Sequence, residues 1–259
     1  MRNRKAINLI ARNGKAMFGE LEDLRMYGIT YAAKAVILAE YGKQVWSDVR
    51  DYAKAHPAIV PFINQDPHLA CSISTNSNKE RWLVGDGKAY INTGVKSSAT
   101  TIFEMQVQYL EVVSASQFNG VFASDHRLQI GSTTTGFGIG YGSLHITVGE
   151  NKPNITHTAK IDGKQKKGYD NGKEYSFASA TFNANKKFDI YLFARWRGDQ
   201  NLVDAICKEM VAYAAIDDHT FIPHLTADGQ CGMLDLVTYT FHPNANTEGQ
   251  FTIAITDKE

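Results

Sequence analysis

The side chains that could do chemistry in this chain are dispersed. Hydrolysis of a glycosidic bond needs two carboxylates on one face, about 5–9 Å apart. Glu104 opens an alternating stretch, but Gln106 and Gln108 stand where further carboxylates would be needed. Asp217 and Asp218 are adjacent, so in a strand they point to opposite faces. The chain has no GxSxG elbow, no Walker loop and no HExxH. An enzyme is therefore not expected. Among the scattered histidines, His219 and His224 are spaced to meet across a turn and hold a metal, but loop histidines without a carboxylate partner are more often simply exposed. Cys71, Cys207 and Cys231 show no CxxC or Cys/His zinc spacing, and an odd number does not make a disulfide framework. No cofactor is expected.

Binding chemistry is better represented. A sugar needs an aromatic platform for its apolar face and planar polar groups for its hydroxyls. Tyr191, Arg195, Tyr141 and Trp196 supply those types. Each also reads as a core aromatic or a solvated arginine, and that reading carries more weight for any one of them alone. Arg2, Arg4, Lys5, Arg12 and Lys15 make a basic arm, and Lys160, Lys164, Lys166 and Lys167 a basic turn that reads as edge protection. Across the chain 27 Lys and Arg balance 27 Asp and Glu, so no global field recruits nucleic acid, and none is expected as a partner.

These residues must be positioned by two kinds of element. Residues 1–57 read as helical. Tyr31, Ala35, Leu38, Gly42, Val45, Val49 and Tyr52 follow steps of four and three, which is heptad spacing. Self-association through this seam (a trimer stalk, for example), docking on a partner, and packing on the chain's own domain remain open. Gly42 weakens a strict coiled coil. Pro57, Pro61 and Pro67 are expected to end the helix, and residues 58–81 to form an extended linker.

From residue 82 to 259 the pattern is β. Phe103, Met105, Val107 and Tyr109 alternate with polar residues, as in a half-buried strand. Asn119-Gly120 reads as a turn and Asn171-Gly172 as a hairpin turn. Phe137, Ile139 and Tyr141 share one face opposite glycines 136, 138, 140 and 142, a bare backbone that would admit a ligand or, preferably, a bulky neighbouring side chain. Phe188, Ile190, Leu192 and Ala194 are expected inward, with Tyr191, Phe193 and Arg195 on the other face. Residues 203–215 have helical periodicity, whereas their surroundings favour a strand. Many regularly spaced strands predict an antiparallel sandwich. No run of about 18 apolar residues exists, so no membrane insertion is expected. Asn8, Arg12, Asn13 and Lys15 interrupt any apolar leader, so no signal peptide is expected.

The motif series Tyr90-Ile91-Asn92-Thr93-Gly94, Leu192-Phe193-Ala194, Phe221-Ile222-Pro223, Gly232-Met233-Leu234-Asp235 and Gly249-Gln250-Phe251 resembles the laminin-G-like, concanavalin A-like jelly-roll domains of tailed phage and prophage structural proteins of gut bacteria. The resemblance covers roughly residues 82–256. It implies a mainly β, antiparallel jelly-roll sandwich, closed by Phe221–Phe251 against Gly85–Gly94. The motif residues themselves read as turn chemistry. Glycosidases on this fold carry E-x-D-x-x-E, which is absent here. Laminin-G-like domains can bind calcium at the rim, and Asp125, Asp162, Asp170 and Asp235 are candidates by type, without ligand spacing. The resemblance implies a virion component (fibre, decoration, tail or baseplate), made in the host cytoplasm, attached to other virion proteins through residues 1–57 and carrying a lectin-like domain for a glycan or host surface. The alternatives are a purely structural virion protein and a glycoside hydrolase on the same fold.

Overall fold

The computed structural model describes residues 28–111, 117–150 and 152–258. The basic arm at residues 2–15 lies outside them. The chain divides into two compact units, residues 1–80 with 257–259, and residues 81–256.

The first unit is helical. Its helices are α1 (Tyr31–Glu40), α2 (Gly42–Ala55), α3 (Val60–Gln65) and α4 (Ala70–Ile73), with 3-10 turns at Pro57–Ile59 and Pro67–Leu69. Thr30 caps α1 by accepting the Ala33 N–H. The single seam helix is corrected to two. Tyr41 ends α1, and Gly42 takes φ +85°, a left-handed conformation in which glycine carries no Cβ penalty. The break resets the phase. Ala33, Ile37, Val45, Trp46, Val49 and Ala53 are buried, with Ile59, Ile63 and Leu69 beneath. Of the seam residues, Val45 and Val49 are interior, Leu38 and Tyr52 half-buried, Ala35 exposed and Tyr31 57 % exposed. The extended linker is also corrected. Pro57, Pro61 and Pro67 sit in the first turns of short helices, where a missing N–H costs nothing.

The second element type begins at Lys79, a little before the expected residue 82, and is a sandwich of two sheets. In chain order the strands are β1 (Lys79–Gly85), β2 (Ile91–Lys96), β3 (Ile102–Tyr109), β4 (Gln117–Ala123), β5 (His126–Thr133) and β6 (Gly136–Tyr141). Next come β7 (Leu144–Gly149), β8 (Thr156–Asp162), β9 (Lys167–Asp170), β10 (Lys173–Ser176), β11 (Asp189–Leu192) and β12 (Arg195–Arg197). The last are β13 (Leu202–Asp204), β14 (Glu209–Ile216), β15 (His219–Leu225), β16 (Cys231–Asp235), β17 (Phe241–Pro243) and β18 (Phe251–Asp257). The ten-stranded sheet runs β10-β9-β8-β3-β14-β15-β16-β17, with β1 joining both β14 and β18. The eight-stranded sheet runs β13-β12-β4-β5-β6-β7, with β11 paired to β4 and β2 paired to β11. Its β12–β4 pairing is parallel.

The core lies between the sheets. β3 buries Phe103, Met105, Val107 and Tyr109, and β6 buries Phe137, Ile139 and Tyr141, both as the alternation predicts. Residues 209–216 are a strand. Ala212 is an extra residue in the register with β3, between Val211↔Val107 and Tyr213↔Gln106. This bulge shifts the inward set from Val211 to Ala214 and Ile216, which imitates helical spacing. Asn171-Gly172 is the two-residue hairpin turn, with φ +47° and +80°.

Two local expectations fail. Asn119-Gly120 lies inside β4, where Gly120 (φ +116°) leaves no room for a Cβ against the Leu128 carbonyl. Phe193 does not share a face with Tyr191 and Arg195. It takes φ +62°, donates its N–H to Asn119 Oδ1 and buries its ring against Phe251. The bracket between 85–94 and 221–251 is real, but it is a hydrogen-bonded latch of loops and not a strand pair. Asp86 accepts the N–H groups of Lys88, Ala89 and Gln250, Asn244 Oδ1 accepts that of Tyr90, and Tyr90 O accepts that of Ala245. Burial opposes the Asp86 charge, but these donors outweigh it and lower its pKa.

Candidate functional site

The outer face of the eight-stranded sheet carries the most unusual chemistry of the second unit. In β5, Leu128 and Ile130 point into the core, so Arg127 and Gln129 point out. In β7, Leu144 and Ile146 pack on the core and His145 points out. Between them, β6 offers only glycines on that side. A Cβ on Gly140 would stand 2.4 Å from Arg127 Cδ and 2.9 Å from Gln129 Cγ. One on Gly138 would stand 2.5 Å from the His145 ring. The glycines are thus the floor on which three side chains lie. The packing reading of that bare face is the observed one.

Next to this floor, β4 turns Phe118 and Phe122 outward and β12 brings Arg195 and Arg197. The Arg195 guanidinium lies 5.1 Å from the centres of both rings, and Arg127 and Arg197 lie 4.9 and 5.6 Å from Phe122. Such contacts are worth roughly 0.5–2 kcal/mol each, more when desolvated. Arg195 also makes a two-pronged pair with Asp204, at 2.8 Å for each bond. Arg197 reaches Asp204 and Asp199. Among the described residues Arg127 has no carboxylate partner, so the face holds a surplus cation.

Several polar atoms here are buried without a partner: Arg127 Nε, Gln129 Oε1 and His145 Nε2. Gln129 is only 3 % exposed. Burial, then the charges of Arg127 and Arg195, push the His145 pKa down to about 4, so its ring is neutral at ordinary pH. His145 meets Phe118 edge-on, with centroids 5.7 Å apart.

The residues predicted for sugar binding are only partly here. Arg195 is, but committed to Asp204. Tyr141 is corrected to a core residue, 1 % exposed, with its hydroxyl donating to Ala99 O. Tyr191 is 9 % exposed and stacks on Trp196 at 5.5 Å, with Tyr90 at 5.9 Å, so these rings cover one another and form no open platform. Sequence reasoning missed Phe118, Phe122, Arg127, Gln129 and His145. The available signal was the glycine face of β6, which had to be covered by something large.

A second cluster lies inside. Glu209 is fully buried and faces Tyr109, Asn119 and Cys207. Burial pushes its pKa up to about 8, and those neighbours only partly oppose the shift. Its carboxyl oxygens, the Tyr109 hydroxyl and Asn119 Nδ2 form no well-aligned hydrogen bond. A raised carboxyl pKa marks many general acids, but a sealed carboxyl cannot touch a substrate.

The other carboxylates are engaged. Asp217 occupies a two-residue turn at φ +54° and accepts the Ile102 N–H. With Thr100, Ile102, Lys164 and Asp218 it lines an open depression of about 410 Å³. Asp235 accepts from Val237 N, Thr238 Oγ1 and His219. Asp170 pairs with His157, and Asp162 accepts the Gln165 N–H. His219 and His224 lie five residues apart on one strand, hence on opposite faces. Among the described residues no group of three His, Cys, Asp or Glu side chains could hold a metal ion, and no helix is long and apolar enough to cross a membrane. No family model matches the chain, and none of the curated proteins compared with it is similar.

Proposed function

We propose that this protein is a non-enzymatic virion component whose β-sandwich attaches to a glycan or a host surface. The observation that carries the binding half is the outer face of the eight-stranded sheet. It is the one region described above that combines surplus charge, aromatic rings and buried polar atoms without partners. Polar groups left in that state cost about 1–3 kcal/mol each, a cost a polyhydroxylated ligand removes by hydrogen bonding. The virion half is supported by the motif resemblance, of whose residues Tyr90 and Gln250 take part in the latch between 85–94 and 221–251. On this reading residues 1–57 join other virion proteins, with a trimer as the favoured homo-oligomer. The protein is then made in the host cytoplasm and carried on the particle.

A glycan array probed with the full chain tests the binding half. Retention on a defined set of glycans is the expected outcome. A blank array transfers the assignment to a structural role, in which the sandwich packs only against other virion subunits. Sedimentation of the full chain tests the trimer, and a monomer at micromolar concentration removes it.

A further inference from the structure

Arg127, Gln129 and His145 present an unusual set of needs over the glycine floor of β6. Arg127 is a guanidinium without a carboxylate, crowded by the like charge of Arg195. Gln129 offers a carbonyl oxygen without a donor, and the neutral His145 ring has a nitrogen without a partner. Sulfate would satisfy the cation but bring no donor to Gln129 Oε1, and monohydrogen phosphate, with a single O–H, cannot serve both Gln129 Oε1 and His145 Nε2. A neutral sugar would bring hydroxyl donors but leave Arg127 unpaired. A sugar bearing a carboxylate supplies both.

We propose that this face binds an acidic saccharide, with the sugar carboxylate on Arg127 and ring hydroxyls on Gln129 Oε1 and His145 Nε2. The inference rests on the glycan-binding reading above and narrows its ligand class. The Arg127 side chain lies along Gly140 and the His145 ring on Gly138, with the Arg127 guanidinium over Phe122. The ligand therefore has to displace these side chains from the floor to reach Gln129 Oε1 and His145 Nε2, which are buried without it. Arg195, held by Asp204 and both phenylalanine rings, stays in place as the fixed wall.

The test is titration of the full chain with glucuronate, and with glucose as its neutral counterpart, followed by NMR or calorimetry. Glucuronate is expected to bind at least tenfold more tightly than glucose, and the preference is expected to shrink with added salt. Arg127→Gln is expected to lose at least tenfold in glucuronate affinity and with it the preference over glucose. Gln129→Leu is expected to weaken both sugars. Thermal melting of each variant separates lost binding from lost folding, and Arg127→Lys keeps the charge if Arg127→Gln fails to fold. Equal binding of the two sugars, or full glucuronate affinity in Arg127→Gln, overturns the inference. Failure of both sugars beside an array positive for neutral glycans overturns it alone, whereas a blank array overturns it together with the reading it rests on.

Discussion

One strand separates two clusters that solve the same problem in opposite ways. The inner side of β4 gives Asn119 to Glu209, Tyr109 and Cys207. Its outer side gives Phe118 and Phe122 to Arg195, Arg127 and Arg197. Inside, the site is sealed, and an ion there would meet a desolvation cost that no counter-charge offsets. The carboxyl therefore stays protonated. Outside, the guanidiniums cannot neutralise, so they keep their charge by lying on ring faces, with Arg195 and Arg197 also sharing Asp204. Burial alone does not decide the fate of a charge. The difference lies in whether the group can shed its charge by gaining or losing a proton at low cost, and whether water reaches any part of it.

The largest expected effect concerns the sealed side. The folded pKa of Glu209 is raised to about 8 from an ordinary 4.5. The folded state therefore holds a proton that the unfolded state has released. Its contribution is fully present below pH 4.5 and is lost as pH rises towards 8, on the order of 3–5 kcal/mol in all. Urea unfolding across that range should show the fall, and Glu209→Gln should flatten it. A flat wild-type profile would mean that the cluster is not sealed.

Gly138→Val should cost about 3 kcal/mol, at the top of the range for overpacking, because the new methyls meet the His145 ring and the Ile146 carbonyl. A neutral result would show that the layer over β6 shifts freely. Arg195→Ala should cost about 2 kcal/mol through the Asp204 pair and two ring contacts. The ion pair Glu104–Lys160 lies on the outer side of the other sheet. Glu104→Ala there should cost under about 1 kcal/mol. Similar losses would erase the distinction between the two faces.

The acid side carries a smaller pH effect than the alkaline one. The His145 pKa is lowered to about 4 from 6.5. The unfolded state takes up its proton first, so stability falls as pH drops from 6.5 towards 4, by roughly 1–2 kcal/mol after allowance for its partial exposure. His145→Gln should remove that slope and leave the alkaline one untouched. The two sides of β4 thus contribute to opposite flanks of the stability curve.

The strands with strict alternation were legible in the sequence, because β3 and β6 have one face in the core and no interruption. Residues 209–216 were not, because a bulge at Ala212 changes the period that a strand should show. Phe193 escaped for a similar reason, since a left-handed residue between β11 and β12 reverses every later side chain. The helices after Pro57 were hidden because proline marks the start of a helix as readily as its end. Of the site, Arg195 was found by type, but its partner Asp204 depends on the β12–β13 register. Arg127 and His145 meet only through β6, a relation across two strand pairings that no local pattern encodes.

The pairing of β1 with β18 has a kinetic meaning. Trp82 Nε1 donates to Thr256 Oγ1 across 174 residues of chain. Closing a loop of that length costs about 4–5 kcal/mol of chain entropy beyond its constant, and such distant contacts slow folding. On a ribosome, β1 emerges early and waits with both borders unzipped until β14 and then β18 have been made. During that interval its Arg81-Trp82-Leu83-Val84 segment is a template for the wrong neighbour. The nascent sandwich is then a substrate for chaperones, and its yield should depend on how fast the last strand arrives.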